Sequence, residues 1–174
     1  MGQHSAIMTS DLSQQFHELL ERHRKIVFKV AGSYCRHPED RADLAQEIAA
    51  QLWRAFPSYD GLRTFSTWMY RIALNVAISF LRNNQKREQH SIPLDEQLHD
   101  TVSDRGDAAE ADEQIRVLHR FIAQLDALNR ALLLLYLDEK SHREIADILG
   151  ISETNVATKI GRLKQRIRND MGNA

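Results

Sequence analysis

Between Glu88 and Glu113 the chain carries nine acidic side chains and one basic one, Arg105, a net −8 inside a protein of 174 residues whose total formal charge is −1. The remainder therefore carries +7, and a net charge near zero conceals two basic regions divided by an acidic one. The acidic stretch is poor in aromatic and branched side chains and contains Pro93 and Gly106. Such a composition buries too little apolar surface to offset chain entropy. It predicts a flexible acidic linker over 88–107, between a first domain at 1–87 and a second at 108–174. The plainer alternative is an ordinary solvated loop. Directly before the linker, Arg63, Arg71, Arg82, Lys86 and Arg87 occur with no acid among them; near the C-terminus Lys159, Arg162, Lys164, Arg166 and Arg168 face only Asp170.

Both flanking regions show helical periodicity, and the expected fold is all-α. Leu12, Phe16, Leu19, Leu20, His23, Val27 and Val30 follow the three-and-four spacing of one buried face and predict a helix near 11–31. Pro38 suits the first turn of a second helix, where its missing N–H costs nothing, and Leu44, Ile48, Leu52, Trp53 and Phe56 form that helix's apolar stripe. Its other face shows Asp43, Gln46, Glu47 and Arg54. Pro57 to Gly61 reads as a turn. Trp68, Met69, Ile72, Ala73, Val76, Ala77, Phe80 and Leu81 then give a third helix near 66–83, with Arg71, Asn75, Ser79 and Arg82 opposite. Beyond the linker, Leu132 to Leu135 belong to a helix apolar nearly all round, which must be central to its domain.

The stretch from Ser141 to Ile167 is the most specific. Ser141-His142-Arg143-Glu144 has the form of a capping box and starts a helix. Ile145, Ala146 and Leu149 form its inner face, Gly150 suits a left-handed helix end, and Ser152 suits the N-cap of a following helix with Val156, Ile160 and Leu163 inside. This is helix-turn-helix spacing. The outer face of the second helix presents Asn155, Thr158, Lys159, Arg162, Lys164 and Arg166. Asn suits adenine and Arg suits guanine in the major groove, while later Lys and Arg suit phosphates. A structural helical hairpin with a solvated basic face is the bland alternative.

The chain resembles bacterial RNA polymerase sigma factors of the extracytoplasmic-function type, in the sigma-70 family. Asp40 to Glu47, Trp53 to Phe56 and Phe65 to Asn75 are similar to the family's first domain, and Ser141 to Arg168 to its second. The resemblance implies a promoter-specificity subunit without catalysis of its own. Its implied partners are core RNA polymerase, promoter DNA and an anti-sigma factor. Asp43, Gln46, Glu47 and Arg54 would dock on the polymerase. Tyr59, Phe65, Arg71, Asn75 and Arg82 would bind the opened minus-ten element, with Trp68 read as core because it lies on the apolar stripe. Ser141, Arg143, Asn155, Thr158, Lys159, Arg162, Lys164 and Arg166 would bind the minus-thirty-five element. Two positions depart from the family pattern: Ala157, often basic, and Glu139-Lys140, where a glycine and an apolar residue are usual.

Other chemistry finds little support. The eight histidines have no Cys/His spacing for zinc, so no metal or other cofactor is expected, and no P-loop, nucleophile elbow or HExxH is present. Asp43 and Glu47 lie one helical turn apart but fit a docking face better than acid–base catalysis. No apolar run approaches a membrane span and no leader is evident, which predicts a cytoplasmic protein without membrane insertion. The single Cys35 forms no internal disulfide. A stand-alone helix-turn-helix regulator is the competing reading, and a helical enzyme a third.

Overall fold

The computed structural model describes residues 3–90 and 109–172, all helices and short connections. In chain order the helices are α1 (Gln3–Tyr34), α2 (Pro38–Ala55), α3 (Phe65–His90), α4 (Ala109–Gln124), α5 (Ala127–Leu137), α6 (His142–Leu149) and α7 (Glu153–Gly172). A 3-10 turn over Phe56–Ser58 follows α2. Among the described residues there is no strand. α1 and α3 outrun the apolar repeats that announced them. Since α3 continues to His90, the stretch assigned to the linker opens in helix, and its remainder from residue 91 lies outside the described residues.

In the first domain α1, α2 and α3 pack around Val30, Leu44, Ile48, Leu52, Met69, Ala73 and Leu74, each essentially removed from water. Burying one such large aliphatic side chain contributes about 1.5–3 kcal/mol. Pro38 opens α2, and Glu39 and Asp40 place negative charge against the positive end of its dipole. The turn before it is tied by Arg41, whose Nε donates to the Cys35 carbonyl (3.1 Å) and Nη2 to that of Arg36 (2.8 Å). Ahead of α3, the Asp60 carboxylate accepts from the Leu62 amide (3.0 Å), the local bond that makes Asp a turn residue.

The second domain is centred on α5, of which Ala131 to Leu135 are all buried. Asp126 caps α5 by accepting from the Asn129 amide (2.9 Å). The capping box of α6 is closed in both directions: Ser141 Oγ accepts from the Glu144 amide (3.2 Å), and Glu144 Oε2 accepts from the Ser141 amide (2.8 Å). Gly150 ends α6 at φ 68°, where any other residue would meet the steric cost of a left-handed backbone. Ser152 then caps α7 through the Asn155 amide (3.2 Å). At the end of α5 the same left-handed position is held by Glu139 (φ 57°). Lys140 and Glu139 donate back to the carbonyls of Leu135 and Tyr136 (both 3.1 Å), a Schellman closure without glycine. This is one of the two departures noted in the sequence, and its backbone is the one a glycine would adopt.

The two domains pack on one another, and their apolar residues form one continuous core. Four polar contacts stitch the seam. Tyr34 donates its hydroxyl to the Ala127 carbonyl (2.7 Å). The buried Arg130 donates to the carbonyls of Ser33 (3.3 Å), Ala123 and Leu125 (both 3.1 Å), with its guanidinium 5.3 Å from the Tyr34 ring. Asp138, just past α5, accepts from the Tyr70 hydroxyl (2.6 Å) and pairs with Lys29. Arg63 grips Asp147 of α6 with two bonds, of 2.5 and 2.8 Å.

Burial alone would raise the Asp138 carboxyl. The bonds from Lys29 and Tyr70, together with the charges of Lys29 and Lys140, hold it below the usual 3.8. A carboxyl depressed by folding contributes stability that is complete well above its unfolded value and is lost as pH falls through the folded one. The domain packing should therefore hold steady from neutrality to about pH 5 and loosen as pH falls through 3.8 and below. Small-angle scattering should record the growing radius, and Asp138→Asn should show much of that expansion already at neutral pH. Glu139→Gly should raise stability by up to about 1 kcal/mol in thermal unfolding, because it removes the left-handed penalty of about 1–2 kcal/mol at the cost of some chain entropy.

Candidate nucleic-acid interface

On α7 the inner positions Val156, Ile160 and Leu163 are buried, which forces the intervening positions outward. Asn155, Thr158 and Arg162 are exposed at steps of three and four and share one face. The Thr158 hydroxyl donates to the Thr154 carbonyl (2.9 Å), which leaves its two lone pairs to accept from outside the helix. Lys159 is half-buried, and its charge adds to the bonds from Asn129 and Leu128 that, against burial, hold the Asp126 carboxyl below its ordinary range. Lys164 and Arg166 are exposed but lean on rings of their own domain, 4.6 Å from Tyr136 and 5.5 Å from Phe121. Their stems cover apolar surface while their charged heads stay in water. Ser141 and Arg143 are exposed at the start of α6, with the Ser141 hydroxyl committed to the capping box. Those bonds hold the Glu144 carboxyl below its ordinary range.

In the first domain Asp43, Gln46, Glu47 and Arg54 are all exposed on α2. Arg71, Asn75 and Arg82 are exposed on α3. The resemblance assigns these two sets to different partners, yet Asp43, Gln46, Glu47, Asn75 and Asn83 line one open groove of about 810 Å³ between the two helices. The exposed face of α3 thus adjoins the exposed face of α2.

Aromatic side chains fill the end of the domain where α2 gives way to α3. Tyr59 lies 6.3 Å from Phe56, 5.6 Å from Phe65 and 5.1 Å from Trp68, between ring centroids. Phe65 is buried at 7% exposure, held also against His23 (5.5 Å). Its expected stacking on an unpaired base is therefore corrected: position 65 packs the ring inward, where it supports Tyr59 and Trp68. Tyr59 and Trp68 are half-buried, as the apolar stripe implied for Trp68. The Tyr59 hydroxyl donates to the Arg63 carbonyl (2.7 Å) and shapes the loop, and Leu62 projects from it at 85% exposure. Sequence reasoning missed Leu62 and Arg63 as surface features of this loop. A signal existed for Arg63, which opens the basic stretch that holds no acid.

The described residues contain no group of three or more His, Cys, Asp or Glu side chains able to hold a metal, and no described helix is long and apolar enough to cross a membrane. The arrangement offers two polar and cationic surfaces for binding, one on α2–α3 and one on α7.

Family comparison matches both halves. Residues 19–87 match sigma-70 region 2 and residues 115–167 match sigma-70 region 4. The chain is 27% identical over 169 residues to the ECF RNA polymerase sigma factor SigW of Bacillus subtilis, covering 90% of this chain and 88% of that one. It is 28% identical over 165 residues to the ECF RNA polymerase sigma-E factor of Haemophilus influenzae, covering 88% and 86%. Two solved structures share the fold. CnrH, in complex with the cytosolic domain of CnrY, aligns with TM-score 0.64 at 22% identity, covering 92% of this chain and 90% of that one. RpoE of Bartonella quintana, in complex with the anti-sigma factor NepR, aligns with TM-score 0.65 at 17% identity, covering 93% and 97%. With both regions present in order over a two-domain helical fold, the chain belongs to the sigma-70 family as an RNA polymerase sigma factor of the extracytoplasmic-function type.

Proposed function

We propose that this sigma factor directs core RNA polymerase to a dedicated promoter set through two adjoining faces of its first domain and one face of its second. Asp43, Gln46, Glu47 and Arg54 on α2 dock on the polymerase. Arg71, Asn75 and Arg82 on α3, with Tyr59 in the preceding loop, hold the opened minus-ten strand. Asn155, Thr158 and Arg162 on α7 read the duplex minus-thirty-five element, with Ser141, Arg143, Lys159, Lys164 and Arg166 around them toward phosphates. The observation that carries this reading is the order of the two matched regions together with an exposed polar face on each. Anti-sigma regulation is supported by the solved relatives, of which one is bound to an anti-sigma factor.

The division of labour follows from chemistry. An unpaired base presents a flat ring and a hydrogen-bonding edge, which suit an aromatic side chain and an amide. A duplex element presents base edges in a groove that admits one helix, which suits α7. The direct test is reconstitution with core polymerase and promoter-bearing genomic fragments, followed by mapping of transcript starts. Specific starts are expected; none, with strong duplex binding by the chain alone, would favour a stand-alone regulator.

Two variants probe the faces separately. Asn75→Ala should leave folding and duplex binding by α7 intact and reduce open-complex formation. Its defect should shrink on a template already mismatched at the minus-ten region, since the unpairing cost of a few kcal/mol is then gone. Because Asn75 borders the docking groove, polymerase affinity should be measured alongside; a loss there in place of the opening defect would reassign the residue. Arg162→Ala should cost about 1–3 kcal/mol of discrimination at the upstream element. Promoters with intact and altered upstream elements should then converge in activity, and an unchanged ratio would remove Arg162 from base readout.

A further inference from the structure

Arg63 and Asp147 belong to different domains and meet as two parallel bonds, Nε to Oδ2 (2.5 Å) and Nη2 to Oδ1 (2.8 Å). A guanidinium makes the same forked contact with phosphate. Arg63 is set at the head of α3 by the Tyr59 hydroxyl on its carbonyl, beside the loop and helix that carry Tyr59 and Arg71. Asp147 takes no part in the capping box of α6 or in the second domain's core. The charges facing it are those of Arg63 and Arg71 from the first domain and Arg143 from its own helix, and the Arg63 bond, foremost, holds its carboxyl below the usual range. Asp147 is thus an anion presented by one DNA-binding domain to the cationic surface of the other.

That contact cannot persist on a promoter. The two elements are centred about 25 base pairs apart, ~85 Å at 3.4 Å per step, whereas α3 and α6 are in contact here. The residues that read the two elements must part, which leaves Arg63 facing the DNA strand without its carboxylate.

We propose that Arg63 is a further phosphate-binding residue of the minus-ten surface, and that Asp147 occupies the phosphate's place until the domains separate. The inference rests on the proposed function for the identity of the nucleic acid, but the competition between carboxylate and phosphate is measurable without polymerase. An exposed ion pair of this kind shields its surface modestly, and its removal should raise affinity about two- to fivefold.

The test uses the full chain and a short oligothymidylate, which offers phosphates and no promoter sequence, with binding read by fluorescence anisotropy and compactness by small-angle scattering. Asp147→Asn should bind the oligomer about two- to fivefold more tightly while the shared core keeps the radius compact. Arg63→Ala should keep the same radius without that gain, and adding Asp147→Asn to it should give no further increase. Exchanging the charges, with Arg63→Asp and Asp147→Arg together, should likewise stay compact and leave affinity below the native value. An equal gain from Asp147→Asn in the presence and absence of Arg63 would reduce the effect to net charge and overturn the proposal, as would no gain at all. A chain that shows the expected pattern but directs no specific transcription would refute the promoter reading and leave the competition standing.

Discussion

The Asp138 carboxylate sits where α5 meets α1 and α3, and the relation between the two domains turns on how its charge is met. A partly buried carboxylate is costly without partners, because the seam offers little water to replace them. Here both partners come from the other domain: the Tyr70 hydroxyl and the Lys29 ammonium. Tyr70 is itself fully buried, and burial first, then the bond to Asp138, pushes its phenol well above the ordinary range. The phenol remains a neutral donor at any working pH. Apolar contact between the domains supplies adhesion without direction, and the polar pairs at Asp138, Arg130 and Asp147 select one orientation from the many that adhesion allows.

That seam governs what each surface can do. α7 carries its exposed face outward with Asn155, Thr158 and Arg162 in water, so that under the proposed function the second domain would approach duplex DNA as it stands. The first domain differs. Its loop and the start of α3 lie against α6, and Arg63 is engaged by Asp147. Asn75 is exposed in the groove shared with Asp43, Gln46 and Glu47, away from that engagement. Under the proposed function, polymerase docking on α2 and strand capture on α3 use adjoining surfaces, to which separation of the domains would add the head of α3.

What the sequence revealed was local. The capping box, the glycine at φ 68° and the Ser152 cap are bonds between residues at most five apart, and each has a residue signature. The all-apolar α5 was legible because a helix without a polar face has nowhere to lie but the centre. The side-chain pairs that join the domains lie far apart in sequence, Tyr70 and Asp138 by 68 residues, Arg63 and Asp147 by 84 and Lys29 and Asp138 by 109, and nothing in a charge count says which Arg meets which Asp. Phe65 illustrates a second limit. Tyr59, Phe65 and Trp68 are all aromatic and near one turn, yet only their packing against Phe56 and His23 decides that Phe65 turns inward.

The most direct measurement is the distance between one label on each domain, at the exposed positions Glu39 and Gln165, in the free chain and again in the polymerase–promoter complex. The account predicts one short, narrow distance in the free chain, set by the seam. In the complex it predicts a shift outward by tens of ångströms, toward the ~85 Å between promoter elements. The same distance in both states, or a broad spread in the free chain, would contradict it.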